Sequence, residues 1–166
     1  VNVPQSAFIT NAYIQFTVDE TISGTTNLTI TGEAVDNASA FTTTAYNASS
    51  RPSTTASVNW TPVDWNTVGA NGTDQRTSNI SSIIQEIVDR GGFAANNSIM
   101  IKLQGTGTRT AEAYEGSSSN APRLCIEYFE NCADADLDGV CDIDDQCPGL
   151  NDFLIGTACN DGDPCT

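Results

Sequence analysis

Histidine is absent from this chain of 166 residues, and only six lysines and arginines stand against 21 aspartates and glutamates. Without an imidazole, and with every cysteine at position 125 or later, the sequence offers no obvious general base to activate a nucleophile. The shortage of bases argues against nucleic acid or an anionic membrane surface as partner, because nothing here neutralises phosphates. No apolar run approaches the roughly 18 residues that crossing a bilayer takes, so membrane insertion is not expected. A C-x-x-C pair is also missing, which together with the absent histidines weighs against zinc.

The charge that is present is unevenly spread. Residues 1–126 carry ten acids and six bases, whereas residues 127–166 carry eleven acids and no base. A chain of this length holds one full domain and an appendage, and the composition divides it into residues 1–130 and 131–166. Within the second part, the run DADLDGVCDIDD from Asp134 to Asp145 has acids at its first, third, fifth, ninth, eleventh and twelfth positions and a glycine sixth. Laid on a twelve-position calcium loop, Asp134, Asp136 and Asp138 fill positions 1, 3 and 5, and Gly139 takes the sharp turn. Val140 offers its backbone carbonyl, and Asp142 and Asp145 fill positions 9 and 12. Six carboxylates so close together, Asp144 included, repel one another unless a hard cation sits among them, and Ca2+ is the cation expected. Position 12 is aspartate where glutamate is usual, so its shorter arm binds through one oxygen or draws the backbone inward. Asn160, Asp161 and Asp163 read as the start of a second set, with Asp144 available to bridge. The competing reading is an acidic disordered tail, which the regular spacing disfavours.

Cysteines punctuate this segment. An even number of them, Cys125, Cys132, Cys141, Cys147, Cys159 and Cys165, beside a calcium motif predicts disulfides and an oxidising, extracellular compartment. Six cysteines allow many pairings, and near neighbours are the expected ones. With Cys132, Cys141 and Cys147 interleaved and Pro148 following, the paired helices of an EF-hand are not expected. The segment CADADLDGVCDIDDQCP followed by CNDGDPCT resembles the thrombospondin type 3 repeat. That resemblance implies chain wound around calcium ions, with metal and disulfides in place of an apolar core.

The first 130 residues alternate instead. Phe8, Ala12, Ile14, Phe16 and Val18 share one face of a strand from Ala7 to Asp19. Leu28, Ile30 and Ala34 mark a second strand whose other face carries Thr29, Thr31 and Glu33, and Ala56, Val58 and Trp60 a third. Asp36–Arg51 reads as loop. Ile80, Ile83, Ile84, Ile87 and Val88 fall at helical spacing, with Ser78 or Asn79 as cap and Gly91-Gly92 as the end. Strands follow around Ile99–Leu103, Thr108–Glu115 and Leu124–Tyr128. Short strands, polar turns and one helix predict an all-β fold, an antiparallel two-sheet sandwich with the helix over one open end.

The run PQSAFITNAYIQFTVDE, with TGEAVDNASAF, SSRPSTTASVNW, ISSIIQEIVDR and AEAYEG after it, resembles a jelly-roll family of secreted bacterial carbohydrate-binding modules. The resemblance spans nearly all of residues 1–130 and implies a jelly-roll sandwich. Members of that family usually carry a strand or two ahead of the segment matching Val1–Asp19. The start at Val1 therefore reads as that of a mature or internal fragment, and the cysteine and aspartate pattern that stops at Thr166 as one that continues. A sandwich without its first strands leaves an unpaired edge, filled either by the upstream segment or by another subunit.

For sugar binding, exposed aromatics stack on pyranose faces, and Trp65, in a polar loop beside Asp64 and Asn66, is the candidate. Trp60 is expected in the core. Asp19 with Glu20 and Glu112 with Glu115 are weak candidates for paired carboxylates, and Glu33, Asp36, Glu112 and Glu115 for a further ion site. Asn27, Asn37, Asn47, Asn59, Asn71, Asn79 and Asn96 each begin an N-x-S/T triplet. The expected function is a non-catalytic, secreted, cell-surface calcium-binding module, structural or adhesive, whose partners are copies of itself in a filament. The alternative is a carbohydrate-binding module of a secreted polysaccharide-degrading enzyme, with polysaccharide as partner.

Overall fold

The computed structural model describes residues 1–130. In chain order these form β1 (Phe8–Gln15), β2 (Val18–Glu20), β3 (Asn27–Glu33), β4 (Ser53–Trp60), α1 (Ser81–Val88), β5 (Ile101–Thr106), β6 (Thr110–Ala111) and β7 (Arg123–Phe129). Every strand pairing is antiparallel: β1 with β7, β2 with β6, and β3 between β4 and β5. The fold is all-β with one short helix, as the alternation predicts. Ile9, Ala12 and Ile14 from β1, Ile30 from β3, Trp60 from β4 and Ile83, Ile84, Ile87 and Val88 from α1 are buried in one core.

The first strand is not the single run that its alternation suggests. Ile9 faces Tyr128 and Asn11 faces Glu127, so Thr10 is an extra residue on β1, a bulge. One extra residue inverts the alternation on its far side. Phe8, expected inside, is therefore 63% exposed, while Ile9 is buried. The strand breaks again after Gln15, where the N–H of Phe16 donates to the Gln75 carbonyl and that of Val18 to the Ala70 carbonyl. The strand expected over Thr108–Glu115 shrinks to Thr110–Ala111, because the chain turns back at Ala113, whose carbonyl accepts from Gly116 and Ser117. Glu33, placed on the solvent face by its period, is buried against Arg51.

An eight-residue helix is marginal by itself and depends on tertiary contacts. Its apolar face lies so close to β3 that a Cβ on Gly32 would come within 2.7 Å of Ile87 Cδ1. Its polar side chains are used as well. Gln85 Nε2 donates to the Ala7 carbonyl at 2.9 Å while its Oε1 accepts from the Ile9 N–H at 2.8 Å. The next residue, Glu86, accepts the N–H groups of Thr55 and Ala56 at 2.8 and 2.7 Å. Two adjacent side chains thus close the edges of two different sheets, and Asn79 and Thr77 do the same for Ala12 and Ile14. Glu86→Ala removes the acceptor of two strand-edge donors, and denaturant unfolding of the variant is expected to show a loss of about 1–3 kcal/mol. Glu86→Gln, which keeps an acceptor, should lose less.

Candidate functional site

All ten expected calcium ligands, Asp134, Asp136, Asp138, Val140, Asp142, Asp144, Asp145, Asn160, Asp161 and Asp163, lie outside the described residues. So do Cys132, Cys141, Cys147, Cys159 and Cys165. Cys125 is described: it sits on β7 opposite Tyr13, is half-buried and has no disulfide partner among the described residues. The Tyr13 hydroxyl titrates above its usual range, first because of its hydrogen bond with Cys125, against the pull of the Arg76 guanidinium stacked on its ring.

Trp65 does not meet the expectation of an exposed sugar platform. It is 1% exposed, packs against Phe16 and exchanges backbone hydrogen bonds with Ile22 in both directions. The polar neighbours that suggested a surface loop are real, but their side chains turn outward while the indole turns in: Asp64 accepts from Gly24 N–H and from Arg109. The indole Nε1 has no partner among the described residues, so packing and the backbone bonds, not a side-chain hydrogen bond, hold Trp65.

Of the four acids considered for a further ion, Glu33, Asp36, Glu112 and Glu115, the first two are paired with separate arginines. Glu33 pairs with Arg51 at 2.9 Å and Asp36 with Arg90 at 2.7 Å. Among the described residues, no group of three or more carboxylates or cysteines gathers at one point.

The structure instead presents aromatics that sequence reasoning passed over. The loop 34–52 carries Phe41 at 64% and Tyr46 at 79% exposure. Phe41, Ala38, Ser39 and Ala40 on one side and Ser98–Ile101 on the other line an open groove of about 360 Å³. Arg51 fixes this loop: its guanidinium donates to the carbonyls of Ser39, Ala40 and Asn47 and to Glu33, and stacks 4.7 Å from the centre of the Phe41 ring. Tyr46 holds φ at +63°, a conformation that a bulky residue adopts only where its surroundings impose it. The signal was the one used for Trp65, an aromatic ring in a polar segment, and it applied to a different loop.

The second exposed feature is the edge of β7. On β1, the N–H groups of Ala12 and Ile14 point away from β7, to Asn79 and Thr77, so Asn11, Tyr13 and Gln15 exchange hydrogen bonds with Glu127, Cys125 and Arg123. The backbone groups of Leu124, Ile126 and Tyr128 therefore point outward, where no strand pairs with them among the described residues. Phe8 and Phe129, opposite each other at the end of this pair of strands, are 63% and 68% exposed.

Trp65→Ala is expected to cost about 3–5 kcal/mol in denaturant unfolding, the range for emptying a buried aromatic site. A cost below about 1 kcal/mol would place the indole at the surface. Comparison of the chain with protein-family models, with curated proteins and with solved structures returns no match.

Proposed function

We propose that this chain is a non-catalytic, extracellular, calcium-binding structural module of jelly-roll type, and that copies of it join through the outer edge of β7. The observation that carries the reading is that edge: three outward-facing residues of backbone donors and acceptors, flanked by the exposed Phe8 and Phe129 rings. A strand added there gains main-chain hydrogen bonds together with apolar contact. A contact between an edge on one copy and a different segment on the next is head-to-tail, and where its rotation does not close a ring it gives filaments. The sequence supports the remainder of the reading. The spacing of Asp134, Asp136, Asp138, Asp142 and Asp145 fits a calcium loop, and the cysteines interleaved with it fit an oxidising exterior.

A second reading, a polysaccharide-binding module, is favoured by Phe41 and Tyr46 on a loop pinned by Arg51. Rings held in place before binding lose little entropy when a sugar stacks on them.

Ile126→Pro tests the assembly. It removes an N–H that points away from β1, so the β1 ladder survives while an added strand loses a donor. Far-ultraviolet circular dichroism should be unchanged while electron microscopy in calcium shows filaments for the parent chain and dispersed particles for the variant. Filaments unaffected by this change would remove β7 as the joint. Chelation of calcium, or Asp138→Asn, should fray the same filaments. In a glycan-binding screen, Phe41→Ala with Tyr46→Ala should abolish any polysaccharide retention, and retention that persists would remove that loop as the sugar site.

A further inference from the structure

The seven N-x-S/T triplets are not absorbed by either reading. With 15 asparagines, and serine or threonine at about one position in five, random order would give about three. Strand alternation accounts for two of them. Asn27-Leu28-Thr29 lies on β3 and Asn59-Trp60-Thr61 runs along β4 and just past its end. Each puts asparagine and threonine outward and an apolar residue inward. They lie side by side, with Thr29 Oγ1 donating to Asn59 Oδ1 at 3.2 Å and Thr61 Oγ1 to Asn27 Oδ1 at 3.3 Å.

Three more asparagines have structural work. Asn37 Oδ1 accepts from Ser98 N–H, Asn47 Oδ1 from Thr42 N–H and Arg51, and Asn79 Oδ1 from Ser81 N–H at the start of α1 and from Ala12 N–H. In all five the oxygen is engaged, and among the described residues the amide nitrogen donates to no other protein atom. Asn71 and Asn96 differ. Both are exposed, in loops, and neither side chain is hydrogen-bonded among the described residues. Thr73 and Ser98, the hydroxyl residues of their triplets, are exposed too. Asn96 also holds φ at +72° on a turn.

The geometry points to Asn71 and Asn96 as attachment sites for N-linked glycans, placed by an external transferase from a glycosyl phosphate or pyrophosphate donor. The bond formed joins Nδ2 to the anomeric carbon of the sugar. The bond broken is that carbon's bond to the phosphate oxygen, which leaves with the electron pair, and the amide nitrogen gives up one proton to a base. No oxidation or reduction is involved. Loop placement matters because an acceptor asparagine must enter another protein's active site, and a segment locked in a β-ladder does not bend to do so, whereas these two asparagines lie exposed in loops. None of the seven triplets lies on β1 or β7, so no glycan would stem from that pair of strands. The inference does not depend on what that edge binds.

The test is glycopeptide mass spectrometry of the protein as secreted by its own cells. Peptides covering Asn71 and Asn96 are expected to carry added hexose or hexosamine mass, localised to the asparagine by fragmentation. Thr73→Ala and Ser98→Ala, which keep each asparagine but break its triplet, should each lose the glycan at that site alone. Peptides of unmodified or merely deamidated mass at both positions would overturn the proposal. So would glycans that survive Thr73→Ala and Ser98→Ala.

Discussion

The fold depends on closing strand edges with side chains. Two two-stranded sheets and a three-stranded sheet expose six outer edges between them, and a buried edge without partners costs free energy for each orphaned N–H or C=O. This chain supplies the missing strand partly from α1. Gln85 imitates a peptide unit toward β1, donating to Ala7 and accepting from Ile9, and Glu86 takes two donors from β4. Because the two residues are neighbours, the helix fixes one sheet against the other. The apolar face of the same helix, Ile83, Ile84, Ile87 and Val88, fills the space between them. Gly32 follows from this arrangement, since the approach of Ile87 leaves no room for a side chain on β3.

Loops are fastened by the same logic, with arginine as the donor. Arg109, whose side chain is 4% exposed, donates to the carbonyls of Gly24, Pro62, Val63 and Thr108 and to Thr26 and Asp64. Arg51 does the equivalent for the loop bearing Phe41 and Tyr46, and Lys102 Nζ is buried on the Arg51 carbonyl and Ser53. A planar guanidinium with five donors suits the convergent carbonyls of a turn. Three of only six bases thus work inside the molecule, so the solvent meets an even more acidic surface than the charge count suggests.

What could be read from the sequence was set by period. The helical spacing of Ile83, Ile84, Ile87 and Val88 located the helix, and the alternation around Ile30, Val58 and Leu124 located strands, because burial imposes those periods directly. Phe8 was misplaced because a bulge at Thr10 adds a residue without any mark in composition. Glu33 was misplaced because its partner, Arg51, lies 18 positions away and turns an outward site into a buried ion pair. Trp65 was misplaced because the polarity of Asp64 and Asn66 describes their own side chains and not the direction of the indole between them. The β7 edge was anticipated only as an unpaired edge somewhere in the sandwich. Which strand bears it follows from the hydrogen-bond phase along β1, and that phase is invisible without Asn79 and Thr77 in place.

In the proposed assembly the acidic exterior bears on how copies of this chain would meet. Like charges on two approaching copies repel over about 8 Å at physiological salt, and residues 127–166 carry no base to offset their eleven acids. Main-chain hydrogen bonds along β7 act only at contact, so repulsion governs the encounter and the edge governs the bound state. A calcium ion held by Asp134, Asp136, Asp138, Asp142 and Asp145 would offset two of those charges. Simple salt only screens charge, and it neither removes it nor shapes the chain. In the proposed assembly calcium and the β7 edge would therefore be complementary requirements: the ion would permit approach, and the edge would make the approach specific.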